Sequence, residues 1–307
     1  MRTLVVGEAL VDVVRPVNGE VAEHVGGSPL NVAIGLARLG QPAQLATFIG
    51  DDDRGAAIRA HLAADDVQLV AGSDGAERTA TAQAVLDETG AATYTFDIDW
   101  QVPYELPAAE HLHTGSIAAV LQPGASAIRE ACFTQRAHGT ISYDPNCRPQ
   151  LMGEPGDARS DIEQLVGLCD VVKASDEDVR WLYGEVPVEE IARLWAQLGP
   201  ALIVVTRGSD GAVACLPSAG FDDAVKTVAG QSVSVTDTVG AGDSFMSGLL
   251  SGLSDAGFLG SLAARSRFQK AGWDDVLPAL QRAVAAASIT VSRAGANPPT
   301  RADLAID

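Results

Sequence analysis

Short β-forming runs alternate with segments of helical spacing along almost the whole chain, and this alternation limits its possible folds more than any other feature. Leu4-Val5-Val6, Ala43 to Ile49, Thr140 to Tyr143, Val171-Val172 and Ala201 to Val205 read as strands buried in a sheet. Helices are expected between and after them: Pro29 to Leu39, with Ser28 as its N-cap, Ala56 to Ala64, Ala125 to Ala137 and Pro278 to Arg293. Parallel strands joined through helices need right-handed crossovers and a sheet covered on both faces. No repeat, low-complexity tract or linker divides the chain, so a single α/β domain over 1–307 is expected.

Two stretches break the alternation. Residues 79–100 are a β-rich hairpin pattern turning at Asp87-Glu88-Thr89-Gly90, and residues 11–25 form an extended arm. Together they are expected to make a small sheet beside the main body.

A formal net charge of −19 disfavours nucleic acid or an anionic membrane as partner. No run of eighteen apolar residues occurs, and a strand beginning almost at Met1 leaves no room for a signal sequence, so a cytoplasmic location is expected. Cys132, Cys147, Cys169 and Cys215 are scattered without a C-x-x-C pair, as reduced core thiols would be. His111 and His113 have strand spacing with no third metal ligand nearby, so they read as part of a strand.

Chemistry concentrates in Asp237-Thr238-Val239-Gly240-Ala241-Gly242-Asp243. A β-like run from Val233 to Val235 precedes it, and an apolar helical pattern reaching Leu253 follows. Glycines that aim successive N–H groups into one concavity, backed by a helix N-terminus, suit an anion. A carboxylate at that point can accept a proton from a hydroxyl held within hydrogen-bonding reach. Cradle plus base suggests phosphoryl transfer to an alcohol; a plain turn with an N-terminal Asp is the structural alternative. Neither G-x-G-x-x-G nor G-x-x-x-x-G-K-[ST] occurs, so dinucleotide-Rossmann and P-loop readings lose support.

The heptad resembles the signature of the ribokinase-like (PfkB) sugar kinases. Other segments are similar to that family in the same order: Gly26-Gly27 through Asn31, Gly50-Asp51-Asp52, Asp144-Pro145-Asn146-Cys147-Arg148, Lys173-Ala174-Ser175 with Asp178, and Thr206-Arg207-Gly208-Ser209-Asp210-Gly211. The resemblance implies a three-layer α/β sandwich with a mainly parallel central sheet and a small β lid. It makes Asp243 the catalytic base and Gly240, Ala241 and Gly242 the anion hole. Asp12, Gly26, Gly27, Asn31, Phe96 and Arg148 become substrate-binding residues, with Tyr94 sharing the stacking role of Phe96. Asn146, Lys173, Ser175, Thr206, Gly208, Gly211 and Asn297 become ATP-binding residues. Asp178, where relatives carry Glu, would reach Mg²⁺ through water, and Asp237 would brace K⁺.

The Asp-Pro-Asn-x-Arg form is most similar to fructokinases and 2-keto-3-deoxygluconate kinases. The expected reaction is ATP-dependent phosphorylation of a sugar primary hydroxyl, D-fructose to D-fructose 6-phosphate, with ATP, Mg²⁺ and a K⁺ activator. 2-Keto-3-deoxygluconate and ribose are alternative substrates, and a non-catalytic sugar or nucleotide sensor is an alternative class. The protein would act on small molecules, without nucleic acid or membrane, as a monomer or as a homodimer through the lid.

Overall fold

The computed structural model describes residues 1–15, 20–86, 92–103 and 105–306. The first part of the chain forms β1 (Thr3–Val6), β2 (Leu10–Arg15), β3 (Ala22–Gly26), α1 (Ser28–Arg38), β4 (Ala43–Ala46), α2 (Asp53–Ala63), β5 (Gln68–Leu69), β6 (Thr81–Leu86) and β7 (Ala92–Asp97). The middle adds β8 (His111–Gly115), α3 (Gly124–Gln135), β9 (Thr140–Asp144), α4 (Pro149–Met152), α5 (Pro155–Val166), β10 (Val171–Ser175), α6 (Asp176–Tyr183) and α7 (Val188–Ala196). The chain continues through β11 (Leu202–Thr206), β12 (Ala212–Cys215), β13 (Val225–Val228), α8 (Ala241–Asp255), α9 (Leu262–Phe268) and α10 (Trp273–Val291).

Among the described residues the main sheet has nine strands in the order β13-β12-β11-β10-β9-β8-β1-β4-β5. Pairings from β11 through β5 are parallel, and β12 and β13 fold back antiparallel at one edge. Side chains alternate between two cores, as a sheet buried on both faces requires. Val5, Leu45, Leu202 and Val204 face one core with α1, α8 and α10. Leu4, Val6, Ala46, Ile203 and Val205 face the other, with α3, α5 and α7. This is the expected three-layer sandwich.

The second sheet, β3-β2-β6-β7, joins the arm to the hairpin, with β2 parallel to β6. Its core is small: Leu10, Ala80 and Ala82, with Phe96 and Ile98 against them. The hairpin turn expected at Asp87 to Gly90 lies outside the described residues, as does the side chain of Tyr94. No helix among the described residues is long and apolar enough to cross a membrane.

Three local expectations differ from the fold. Val233 to Val235 is not a strand; it has no strand to pair with, and the amides of Thr236 and Asp237 tie the segment to the Val291 carbonyl at 2.7 and 3.2 Å. Ser28 does not cap α1: Gly27 occupies that position with φ 118°, and the Ser28 hydroxyl is used elsewhere. Helix α10 starts at Trp273 and passes through Pro278, because burial of Trp273, Val276 and Leu280 outweighs one absent amide bond near its start.

Helices α8 and α10 lie close together because two glycines leave room. A β-carbon on Gly252 would sit 2.6 Å from the Ala279 Cα, and one on Gly248 would sit 3.0 Å from the Ala283 Cα. Gly156, in α5, has nothing within 4 Å of that position. Gly252→Ala is therefore expected to destabilise the protein by about 2 kcal/mol in urea unfolding despite its better helix propensity. Gly156→Ala should be neutral or stabilising by up to about 1 kcal/mol, and equal effects would show that the α8–α10 contact is slack.

Candidate active site

The parallel strands β1, β9, β10 and β11 all end on one rim of the sheet, where an open α/β fold leaves its crevice. A cleft of about 790 Å³ opens there. It collects Asn146, Arg148, Lys173, Ser175, Asp178, Thr206, Gly208, Gly211, Gly240, Ala241, Gly242 and Asp243 from segments far apart in sequence. Val233, Val235, Ala287, Ser288 and Val291 form an apolar wall of the same cleft. The small residues of α10 thus divide: Ala279, Ala283 and Ala286 meet α8, and Ala287 and Ser288 face the cleft.

Asp243 stands in the first turn of α8, only 7% exposed. The Ser28 hydroxyl donates to its Oδ1 at 2.6 Å, and the Asn31 amide donates to its Oδ2 at 2.8 Å. Both donors come from the first turn of α1, so two helix starts face each other across the carboxylate. Gly240 has φ 74°, and a β-carbon on it would lie 2.7 Å from Ala296 Cβ, so backbone conformation and packing both demand glycine. Among the described residues the amides of Gly242 and Asp243 have no acceptor, whereas the Ala241 amide donates to the Thr238 carbonyl at 3.3 Å. The amides left free at this turn are thus those of Gly242 and Asp243.

On the lid side of Asp243, Asp12 leans over Gly26, whose β-carbon would lie 2.5 Å from Asp12 Oδ2. Burial raises the Asp12 carboxyl, opposed by the charges of Arg148 and His24. Gly27 adopts φ 118°, and a β-carbon on it would lie 2.5 Å from Glu8 O, so a side chain has neither the conformation nor the room. Arg148 Nη1 donates to the Asn146 carbonyl at 3.0 Å and to Asn146 Oδ1 at 2.8 Å. Those bonds hold Asn146 at φ 37°, uncommon outside glycine. Phe96 is half-buried against the lid's own core, so packing already accounts for its position.

On the nucleotide side, Ser175 and Asp178 form a capping box at the start of α6. Asp178 Oδ2 accepts from the Ser175 amide at 2.8 Å, while Oδ1 accepts from the Cys147 amide at 2.7 Å. This carboxylate therefore ties the loop after β9 to the end of β10. Thr206 Oγ1 donates to the Ala174 carbonyl at 3.3 Å. Gly208 and Gly211 both have positive φ, but their surroundings differ. A β-carbon on Gly211 would collide with Val228 O, whereas Gly208 meets nothing within 4 Å and leaves its backbone open to a ligand.

Asp12, Gly26, Gly27, Asn31 and Phe96, on the lid side, lie outside the lining of this cleft, and so do Asn297 and Asp237. Asn297 is exposed, and its Oδ1 accepts from Arg38 Nη1 at 2.6 Å. Asp237 accepts from the amides of Val239 at 3.0 Å and Gly295 at 2.9 Å, and these bonds hold its carboxyl below the usual range. His111 and His113 are fully buried, bonded to Thr140 and Ser142, and burial pulls both imidazoles down to about 3. No three His, Cys, Asp or Glu side chains converge on a metal position among the described residues.

Two site residues escaped the motif reading. Ser28 looked like a helix cap, and only the approach of α8 reveals its bond to Asp243. Glu8 lies beneath the lid side, 6% exposed, with Oε2 buried and unpartnered. Its one sequence signal was an acid next to a buried strand. Burial raises its carboxyl to about 7, with smaller opposing effects from the Ser116 hydroxyl and the Arg148 charge. The folded protein thus keeps a proton that the unfolded chain loses near 4.5. Stability must fall as pH rises from about 4.5 to 7, by on the order of 3 kcal/mol. Glu8→Gln removes that loss, so its melting temperature relative to wild type should rise by about 5 °C between pH 4.5 and pH 8. A difference that stays constant with pH would mean that Glu8 titrates normally.

Known proteins resemble this chain over most of its length. A fructokinase of Klebsiella pneumoniae is 37% identical over 272 residues, covering 85% of this chain and 87% of the relative. A fructokinase of Escherichia coli is 34% identical over 264 residues, covering 82% and 84%. The structure of a fructokinase double mutant from Vibrio cholerae O395, bound to fructose, ADP and potassium ion, matches with a TM-score of 0.80 at 28% identity over 99% of this chain and 97% of that one. Fructokinase with bound ATP from Xylella fastidiosa has the same fold, at TM-score 0.82 and 24% identity over 99% and 97%. Matched to the family of pfkB carbohydrate kinases from residue 2 to residue 303, this chain belongs to that family.

Proposed function

We propose that this ATP-dependent sugar kinase transfers the γ-phosphoryl group of ATP to the 6-hydroxyl of D-fructose, with Asp243 as general base. The observation that carries the reading is the double tether of Asp243 to Ser28 and Asn31, which leaves the carboxylate between the lid side and the two free amides of α8. Identity to two bacterial fructokinases and the likeness to a fructose-bound relative support fructose as the acceptor.

Fructose would lie under the lid sheet, with Asp12, Asn31 and the backbone at Gly26 and Gly27 meeting its hydroxyls. ATP would lie along the cleft, its base against Val233, Val235 and Val291 and its phosphates over Gly208. Asp243 accepts the proton of the 6-hydroxyl as that oxygen attacks the γ-phosphorus in line. The bond from phosphorus to the bridging oxygen breaks, and ADP leaves with its electron pair. Charge on the transferring group is stabilised by the amides of Gly242 and Asp243 and by the Lys173 ammonium. The base needs no acid partner, since a phosphate oxyanion leaves unassisted.

The carboxylates fit Mg²⁺ that arrives on the phosphates, since such an ion takes one or two protein carboxylates and keeps its waters. Asp178 is the residue that would reach it through water, and the ion would neutralise phosphate charge. Asp237, with both oxygens already receiving amides, offers remaining lone pairs to a weakly held monovalent ion such as K⁺.

Asp243→Asn should fold normally and bind fructose, yet release ADP from MgATP and fructose at least about 10³-fold more slowly than wild type. Turnover within tenfold of wild type would remove Asp243 from the base role. Ser28→Ala keeps the carboxylate but frees its orientation. It is expected to lower kcat about tenfold with a nearly unchanged fructose KM. Run against ribose, 2-keto-3-deoxygluconate, tagatose and glucose, the same assay tests the substrate, and a kcat/KM for any of them above that for fructose would displace it.

A further inference from the structure

One ionic contact beneath the glycine turn joins Lys173, used in the mechanism above, to a carboxylate that mechanism leaves out. Asp144 ends β9, and Lys173 lies on the neighbouring β10; the pairing of Tyr143 with Val172 brings these next residues side by side. Lys173 Nζ stands 2.6 Å from Asp144 Oδ2, with the two side chains only 5% and 1% exposed. The same ammonium lies 3.0 Å from where a β-carbon of Gly242 would be, directly against the anion turn. Lys173 lines the cleft and Asp144 does not. Among the described residues Lys173 is the sole hydrogen-bond partner of the Asp144 side chain, whose Oδ1 is buried and unpartnered.

This pair is costly to build. Taking two charges out of water rarely improves on an apolar pair of similar size, so stability alone explains it poorly. Its distinctive effect is on where the ammonium sits. Lysine has a long, flexible stem, and an unpaired one in this cleft would be drawn towards Asp178 and Asp243, both of which act on its charge. Asp144 is anchored at the end of a central strand and selects one position for it. Burial opposes the charge on Lys173, but the surrounding carboxylates, Asp144 foremost, outweigh it and hold the ammonium charged.

We propose that Asp144 is a positioning residue for phosphoryl transfer, which never touches the substrates and acts by fixing the charged Lys173 ammonium against Gly242, where the transferring group gathers negative charge. The proposal rests on the kinase reading above and extends it to a residue outside the cleft. Because Asp144 acts through Lys173, its removal matters only while Lys173 is present.

The test is a double-mutant cycle of Asp144→Asn and Lys173→Met, with ADP release from MgATP and fructose as readout. Each single variant is expected to lower kcat by about tenfold or more while the fructose KM stays within about threefold. The double variant should match Lys173→Met within about threefold, because the two residues act as one unit. An additional loss of about tenfold on adding Asp144→Asn to Lys173→Met would overturn the proposal, as would a single Asp144→Asn within about twofold of wild type. If Asp144→Asn alone fails to fold, Asp144→Glu, which keeps the charge and moves it by one methylene, takes its place in the cycle with the same expectations. A wild-type protein that phosphorylates no sugar overturns both readings, whereas an active wild type with an additive cycle overturns this one alone.

Discussion

Asp243 receives two hydrogen bonds, at 2.6 and 2.8 Å, from the first turn of α1, and the rest of the site depends on that contact. It exists because α1 and α8 pack side by side, with Gly35 so close to Ser247 that a β-carbon there would collide with its hydroxyl. The two helices start on the same rim of the sheet. One carries the lid-side glycines before it and the other carries the anion turn, so a single carboxylate marks the border between two binding spaces. Both donors leave the outer lone pairs of that carboxylate available to a substrate hydroxyl.

Charge poses a second constraint. A chain of net charge −19 that binds polyphosphate must create a local field opposite to its overall one. Few cations serve this end: Lys173 and Arg148 line the cleft, the first locked to Asp144 and the second folded back onto Asn146. The same cleft also presents free amides at the start of α8 and Gly208, whose lack of a side chain leaves its backbone uncovered, and backbone dipoles of this kind suit an anion. Short-range, preorganised donors prevail here because solvent screens the exposed acids over longer distances.

Much of the fold was legible in advance because it follows from periodicity. Strands of the main sheet are apolar on both faces and the helices are amphipathic, so the α/β layering was readable from Leu4 to Val205. Turns with a chemical requirement were equally plain: Gly240 and Gly27 adopt backbone conformations that other residues resist. Misreadings arose where a residue's partner comes from elsewhere in the chain. Val233 to Val235 has strand propensity but no neighbouring edge. Ser28 has the chemistry of a cap, yet a carboxylate 215 residues away takes its hydroxyl. Asn297 follows a helix that borders the cleft, but Arg38 holds it outside.

The sequence by itself determined the order of elements, the glycine turn before α8 and the carboxylate that follows it, because each is written in local spacing and in residues whose backbone or side-chain chemistry has few alternatives. Tertiary structure alone decided which groups surround that carboxylate. Glu8 became a raised acid and Asp144 a partner for Lys173 only when strands distant in sequence were laid side by side and closed to water. Burial and proximity set the properties of ionisable groups, and neither exists until the chain has folded.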